Sequence, residues 1–175
     1  LTQYTGSRFS YTNTKTNKSI FANFFIQKSD DYISNATFIA ANDSALENGV
    51  VLKKGSQLSK PMNLDHYWMF RSSFTYSTPI KWIKTNVNFT SSMIYTQMPG
   101  MINSTLTSTK TYLYTLGLGF VSNISEYVDY NINYNANINK ANTTGGMESN
   151  NNYVNHVITV SCNLLSKSGW FVQND

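Results

Sequence analysis

The sequence predicts an all-β chain, an antiparallel up-and-down meander of about eight strands. Three observations carry this. Apolar and polar residues alternate with period two along most of the chain, as they do on strands whose two faces meet different surroundings. The connections alternate between short and long. No stretch has the 3.6-residue period of an amphipathic helix.

The first alternating stretch, 8–13, sets Phe9 and Tyr11 against Arg8, Ser10 and Thr12. A polar turn at 14–18 leads into a long extended run over 19–40. Its first half puts Ile20, Ala22, Phe24 and Ile26 on one face, and Lys28 and Asp30 then end that stripe. Residues 41–60 carry Asn-Asp-Ser, Asn-Gly and Lys-Lys-Gly breakers and read as a long loop. From 64 to 77, Trp68, Phe70, Phe74 and Tyr76 oppose Met69, Arg71, Ser73 and Thr75. Thr78-Pro79-Ile80 reads as a tight turn. The next strand, 84–95, sets Val87, Phe89, Met93 and Tyr95 against Lys84, Asn86, Asn88, Thr90 and Ser92.

A Pro-Gly loop is expected over 97–108. Residues 110–121 then present Tyr112, Tyr114, Leu116, Leu118 and Phe120 on one face, with Thr111, Thr115, Gly117 and Gly119 on the other. A turn at 122–125 opens the clearest strand of the chain, 127–139. Val128, Tyr130, Ile132, Tyr134, Ala136 and Ile138 alternate there with Asp129 and a ladder of asparagines from Asn131 to Asn139. A Gly- and Asn-rich loop is expected at 140–152. The stretch 153–165 carries Val154, His156, Ile158, Val160, Cys162 and Leu164 on its greasy face. After a short turn at 166–169, an eighth strand begins at Trp170 and runs toward Asp175.

Composition narrows the function classes. Charged residues make up 13% of the 175, and aromatics 14%, with 12 Tyr and 10 Phe; ordinary soluble domains carry roughly 25% charge. The net charge of +4 comes from 13 scattered Lys and Arg, with no basic stripe or tail for nucleic acid. The single Cys162 excludes an intrachain disulfide framework and a cysteine zinc site. No run approaches the ~18 apolar residues of a membrane helix, and no signal peptide stands at Leu1. Both ends look cut. Residues 1–175 are therefore expected to be one segment of a single domain belonging to a longer protein.

One dry and one wet face per strand suit either a soluble sandwich or a membrane barrel with a polar lumen. Two features favour the barrel. The first is where charge falls. Lys or Arg on a lipid face costs roughly 2–4 kcal/mol at the midplane and about 0–1 near the interface. On the apolar faces Lys28, Asp30, His66, Lys110 and His156 lie at long-loop ends and Glu126 beside a short turn, whereas Arg71, Lys84 and Asp129 fall on the polar faces. The second is aromatic placement: Tyr76, Trp82 and Trp170 lie near short turns, while Trp68, Tyr95 and Tyr112 lie about one membrane crossing away. A sandwich would carry Lys, Glu and Arg outside, where this chain has Asn, Ser and Thr. The expectation is thus part of a larger transmembrane β-barrel, with short turns at one rim and long loops at the other.

The stretches Pro61–Trp68, Phe74–Lys81, Pro99–Asn103, Asn123–Asp129 and Asn163–Phe171 resemble, in order, recurring segments of outer-membrane barrel proteins related to TonB-dependent receptors. The resemblance covers most of the chain and rests on strand and turn patterns. It implies a wall segment of a Gram-negative receptor barrel in the cell outer membrane, taking part in nutrient uptake. Its partners would be the outer-membrane bilayer and, in the full-length protein, a plug domain and TonB. The segment lacks the family's plug, TonB-contacting segment and terminal aromatic strand. Alternatives are a structural or adhesive barrel without transport, and a secreted glycan-binding sandwich.

No catalytic, cofactor-binding or metal constellation is visible, and no cofactor, nucleic-acid partner or enzymatic activity is expected. His66 and His156 read as interfacial, and Cys162 as a small hydrophobe. Asp30-Asp31 and Asn42-Asp43-Ser44 fit no standard calcium loop. Gly117-Leu118-Gly119 is not a phosphate loop, since no helix follows; the glycines are expected to relieve crowding or let the strand bend. The sequons at Asn35 and Asn88 are of the kind chance supplies in an Asn/Thr-rich chain. The substrate and total strand number are not encoded in any motif.

Overall fold

The computed structural model describes residues 1–45, 51–122, 127–145 and 148–174. Its strands are β1 (Thr2–Asn13), β2 (Lys18–Ser29), β3 (Tyr32–Ile39), β4 (Ser44–Ala45), β5 (Val51–Leu52), β6 (Gln57–Leu64), β7 (Tyr67–Ile80), β8 (Thr85–Ile102), β9 (Thr105–Ser122), β10 (Val128–Thr144), β11 (Ser149–Leu165) and β12 (Phe171–Asn174). No α-helix occurs among the described residues. Eight strands follow one another as an antiparallel meander, β1-β2-β7-β8-β9-β10-β11-β12; β3 and β6 bring the sheet to ten. The sheet is open, with β1 at one edge and β12 at the other. β4 and β5 form a separate small ladder.

The expected long loops are largely strand. Residues 97–108 are not a loop: β8 and β9 stay paired out to Ile102 and Thr105. The reversal takes only Asn103 and Ser104, both with positive φ (47° and 65°), as a twist-matched two-residue hairpin requires. Thr105, Thr107, Thr109 and Thr111 supply the β-propensity that overrides the Pro-Gly signal. β10 and β11 likewise stay paired to Thr143 and Ser149, so most of the expected 140–152 loop is ladder. Within the expected 41–60 loop, Gln57–Lys60 belongs to β6, and residues 46–50 lie outside the described residues, as do those of the 122–125 turn beyond Ser122, Glu126 and Asp175. The first strand begins at Thr2 instead of residue 8.

All three prolines sit where one side of the ladder is vacant, the setting a residue without an N–H tolerates. Pro61 is on β6, a sheet edge. Pro79, expected in a turn, is in β7 opposite Asn86, beyond Ser77, where pairing with β2 stops. The chain reverses just after it, in a 3₁₀ turn over Lys81–Ile83 that ends on Lys84 at φ 47°. Lys84 is therefore a turn residue and not part of a lumen-facing strand. Pro99 lies between Gln97, the last β8 residue paired to β7, and Met101, the first paired to β3.

The long run over 19–40 is two strands, because the β2–β7 hairpin crosses over itself at Asp30–Asp31 and Asp65–His66. Below the crossing β7 is the neighbour of β8; above it β3 runs parallel to β8 and β6 is outermost. Asp31 (φ 60°) and His66 (φ 74°) take the left-handed backbone that lets the strands exchange sides. The Asp31 N–H donates to Asp65 Oδ1 at 2.9 Å. The Tyr32 and Tyr67 rings stack at 4.2 Å and 9° across the crossing. Ser34 Oγ donates to the Pro99 carbonyl at 2.7 Å, and the Asn103 N–H donates to the Thr37 carbonyl at 3.0 Å, tying the upper hairpin to β8.

The core is very small. Among the described residues the buried apolar side chains are Ala36, Ala40, Leu64, Tyr67 and Ala136, four of them at or above the crossing. The accessible surface is 12188 Å² for a 19.8 kDa chain, whereas a compact monomer of this mass would expose about 8,600 Å². No second sheet layer covers either face among the described residues, which a soluble sandwich would need.

Candidate functional site

The strand registers bring the apolar stripes of seven strands onto one continuous face. Phe9, Ala22, Phe74, Ser91, Leu116, Ala136 and His156 form one row across β1, β2, β7, β8, β9, β10 and β11. The neighbouring row is Tyr11, Ile20, Tyr76, Phe89, Leu118, Tyr134 and Ile158. Side chains of this belt stand open: Phe9 is 57% exposed, Phe24 52%, Leu116 44% and Ile158 68%. A belt this wide on a soluble monomer would be a large uncovered patch. Its limits also slide along the strands. The run Ile20–Ile26 on β2 is in register with Ile158 back to Asn152 on β11, yet the apolar run of β11 is Val154–Leu164. Such a slide is what tilted strands show when they cross a slab of fixed height.

The opposite face carries a polar row, Arg8, Asn23, Ser73, Ser92, Thr115, Asn137 and Asn155. Three of its six strand-to-strand steps are hydrogen-bonded. Arg8 Nε donates to Asn23 Oδ1 at 3.0 Å, Asn23 Nδ2 to Ser73 Oγ at 3.2 Å, and Thr115 Oγ1 to Asn137 Oδ1 at 2.9 Å. The asparagine ladder of β10 lies here, with Asn133 Nδ2 donating to Asn131 Oδ1 at 2.9 Å. Gly117 and Gly119 make room for it. A Cβ on Gly119 would stand 2.8 Å from Asn133 Oδ1, and one on Gly117 would stand 2.8 Å from Asn135 Oδ1 and closer still to Thr90 Oγ1. The glycines thus let amides fold across β9.

This face is not uniformly polar. Toward the long-hairpin end, Phe25, Arg71, Ile94, Leu113, Asn139 and Tyr153 share a row, and Tyr4 stacks on Phe25 at 6.2 Å. Sequence reasoning missed this row because its members come from six strands and no periodicity within a strand marks it.

Compared with protein-family models, with known proteins and with solved structures, the chain matches none.

The singled-out residues are dispersed. His66 lies in the crossing, outside any strand, while His156 faces Ala136 and its Nδ1 shares a 2.8 Å hydrogen bond with the Tyr134 hydroxyl. Cys162 faces Tyr130 as a free thiol. Asp30 pairs with Lys28 at 3.2 Å, and Asp31 with the Leu1 amino group at 3.5 Å. Asp43 Oδ1 accepts the Lys54 N–H at 2.8 Å. Asn35 faces Pro61 on β6, and Asn88 Oδ1 accepts the Ser77 hydroxyl at 2.6 Å on the polar face. Arg71 and Asp129 keep to the polar face, at opposite ends of it. Among the described residues no three His, Cys, Asp or Glu side chains converge as a metal site would need. Trp82 (86% exposed) and Trp170 (76%) mark the tight-turn rim, and Trp68 with the Tyr95–Tyr112 pair (4.9 Å) marks the other.

Proposed function

We propose that this chain is a wall segment of a Gram-negative outer-membrane β-barrel, in a receptor of the TonB-dependent kind that takes up a nutrient. The observation that carries the membrane part is the belt. Seven strands put their apolar side chains on one exposed, continuous face, its lysines Lys28, Lys110 and Lys140 stand at the long-hairpin margin, His156 shares the row of Leu116 but lies near the end of the apolar run of β11, and the other face is a hydrogen-bonded amide wall. Lipid covers the belt, and the amide wall lines the conduit. The excess of about 3,600 Å² over a compact monomer is then surface that lipid, plug and adjoining wall cover. The receptor part rests on the resemblance of Pro61–Trp68, Pro99–Asn103 and Asn163–Phe171 to that family. In such a receptor the plug gates transport, TonB moves the plug, and the barrel supplies the wall and the outer mouth. The hairpins β3–β6, β8–β9 and β10–β11 project at that mouth.

The membrane part has a direct test. Purified chain mixed with phosphatidylcholine vesicles is expected to float with them in a density gradient and to stay with them in high salt. Without lipid or detergent it is expected to aggregate through the belt and the open edges. A monodisperse, detergent-free monomer that sediments away from vesicles would overturn the proposal.

A further inference from the structure

At the long-hairpin end of the belt the rows change character in a fixed order. Phe24, Ser72, Met93, Tyr114 and Ile138 form a mainly apolar row. The next is Ile26, Phe70, Tyr95, Tyr112 and Lys140, largely aromatic and ending in a cation. After it comes Lys28, Trp68, Gln97, Lys110 and Asn142. Beyond that, Pro99, Ser108 and Thr144, with His66 and Asp65, line an open pocket of about 270 Å³.

The three lysines of this collar differ. Lys28 is ion-paired with Asp30 at 3.2 Å and lies over the Trp68 ring at 5.9 Å. Lys110 and Lys140 have no carboxylate partner among the described residues, and both are exposed. Lys110 faces Asn142, two residues beyond Lys140. The two lysines are therefore diagonal neighbours on adjacent strands, with Cα atoms about 7–8 Å apart. From that spacing both ammonium groups can reach one anion, which would offset their mutual repulsion. The Gln97 and Asn142 amides flank Lys110 in its own row and offer further hydrogen bonds.

We propose that Lys110 and Lys140 together bind the anionic phosphate headgroup of a membrane lipid. Charge complementarity fixes the chemistry, since two unpaired cations suit a phosphate. Position fixes the source: the pair stands at the rim of the belt beside Tyr95 and Tyr112, so acyl chains below a bound phosphate would lie along Tyr114 and Leu116. This rests on the membrane reading above, and Trp68 can separate the two. Trp68 lies two strands from Lys110, about 10 Å away, and Trp82→Phe with Trp170→Phe leaves it as the sole indole. The chain is placed in phosphatidylcholine vesicles doped with equal amounts of either brominated phosphatidylcholine or brominated phosphatidic acid.

Quenching of Trp68 by both lipids is expected, with phosphatidic acid preferred by about fivefold for each unpaired lysine. Lys110→Gln with Lys140→Gln is expected to abolish the preference and leave quenching by phosphatidylcholine unchanged. Lys28→Gln, whose charge is already neutralised, is expected to keep the preference. Equal quenching by the two lipids, or a preference that survives the double substitution, would overturn the headgroup site alone. No quenching by brominated phosphatidylcholine would overturn the membrane reading and this site with it.

Discussion

Leu116→Arg is expected to destabilise the chain in lipid by roughly 2–4 kcal/mol, the cost of a cation at the midplane of a barrel's outer face. Leu116 sits in the middle row of the belt, between Ser91 and Ala136, and is 44% exposed. The exposure makes the prediction sharp. At an open surface position in water, the same change would fall within about ±0.5 kcal/mol. Only a surrounding that cannot hydrate the guanidinium gives the larger figure. Ile132→Arg, in the same belt, is expected to behave alike. Asn133→Arg, on the amide wall, is expected to cost no more than the lost hydrogen bond to Asn131, about 0.5–1.5 kcal/mol. Urea unfolding of vesicle-reconstituted protein measures all three. Equal costs at Leu116 and Asn133 would remove the basis for giving the two faces different solvents.

Gly117→Ala is expected to cost about 1–3 kcal/mol through overpacking, and more than Gly119→Ala. A Cβ at Gly117 meets two groups at once, Thr90 Oγ1 on β8 and Asn135 Oδ1 on β10. Thr90 is β-branched and has little freedom at χ1. A Cβ at Gly119 meets only the Asn133 amide at close range, and that is the end of a side chain that can turn aside. Thr90→Ala is expected to recover part of the loss at Gly117 and none at Gly119, because Thr90 contacts only the first position. Denaturation in detergent, read as a double-mutant cycle, checks the coupling. Equal costs at the two glycines would mean that the amides are not held over β9.

The faces of the strands were legible from parity alone, since the period of two assigns Val128 to Ile138 and their counterparts to one side without any knowledge of pairing. The registers place those stripes edge to edge. What crosses between strands was not legible. The row Phe25, Arg71, Ile94, Leu113 exists only once three registers are set. The hairpin crossing depends on positive φ at Asp31 and His66, and neither residue announces a left-handed backbone as glycine does. The strands run longer than the sequence suggests, because Pro99-Gly100 and the Asn-rich stretch at 140–152 look like breakers in isolation. In the sheet, Thr-rich partners and a vacant ladder side accommodate them. Lys140 likewise reads as a loop residue in the sequence but belongs to the rim of the belt.

The alternation of solvent along β10 is the central claim, and cysteine scanning tests it most directly. In a Cys162→Ser background, single cysteines at Ile132, Tyr134 and Ala136 are expected to resist a water-soluble maleimide when the protein is in vesicles. Cysteines at Asn131, Asn133 and Asn135 are expected to react. Detergent-free unfolding in urea should make all six reactive, which shows that each thiol can react once the assembled structure is lost. A strict period-two pattern is the predicted result. Uniform reactivity along Asn131–Ala136, or protection of the asparagine positions instead, would contradict the account.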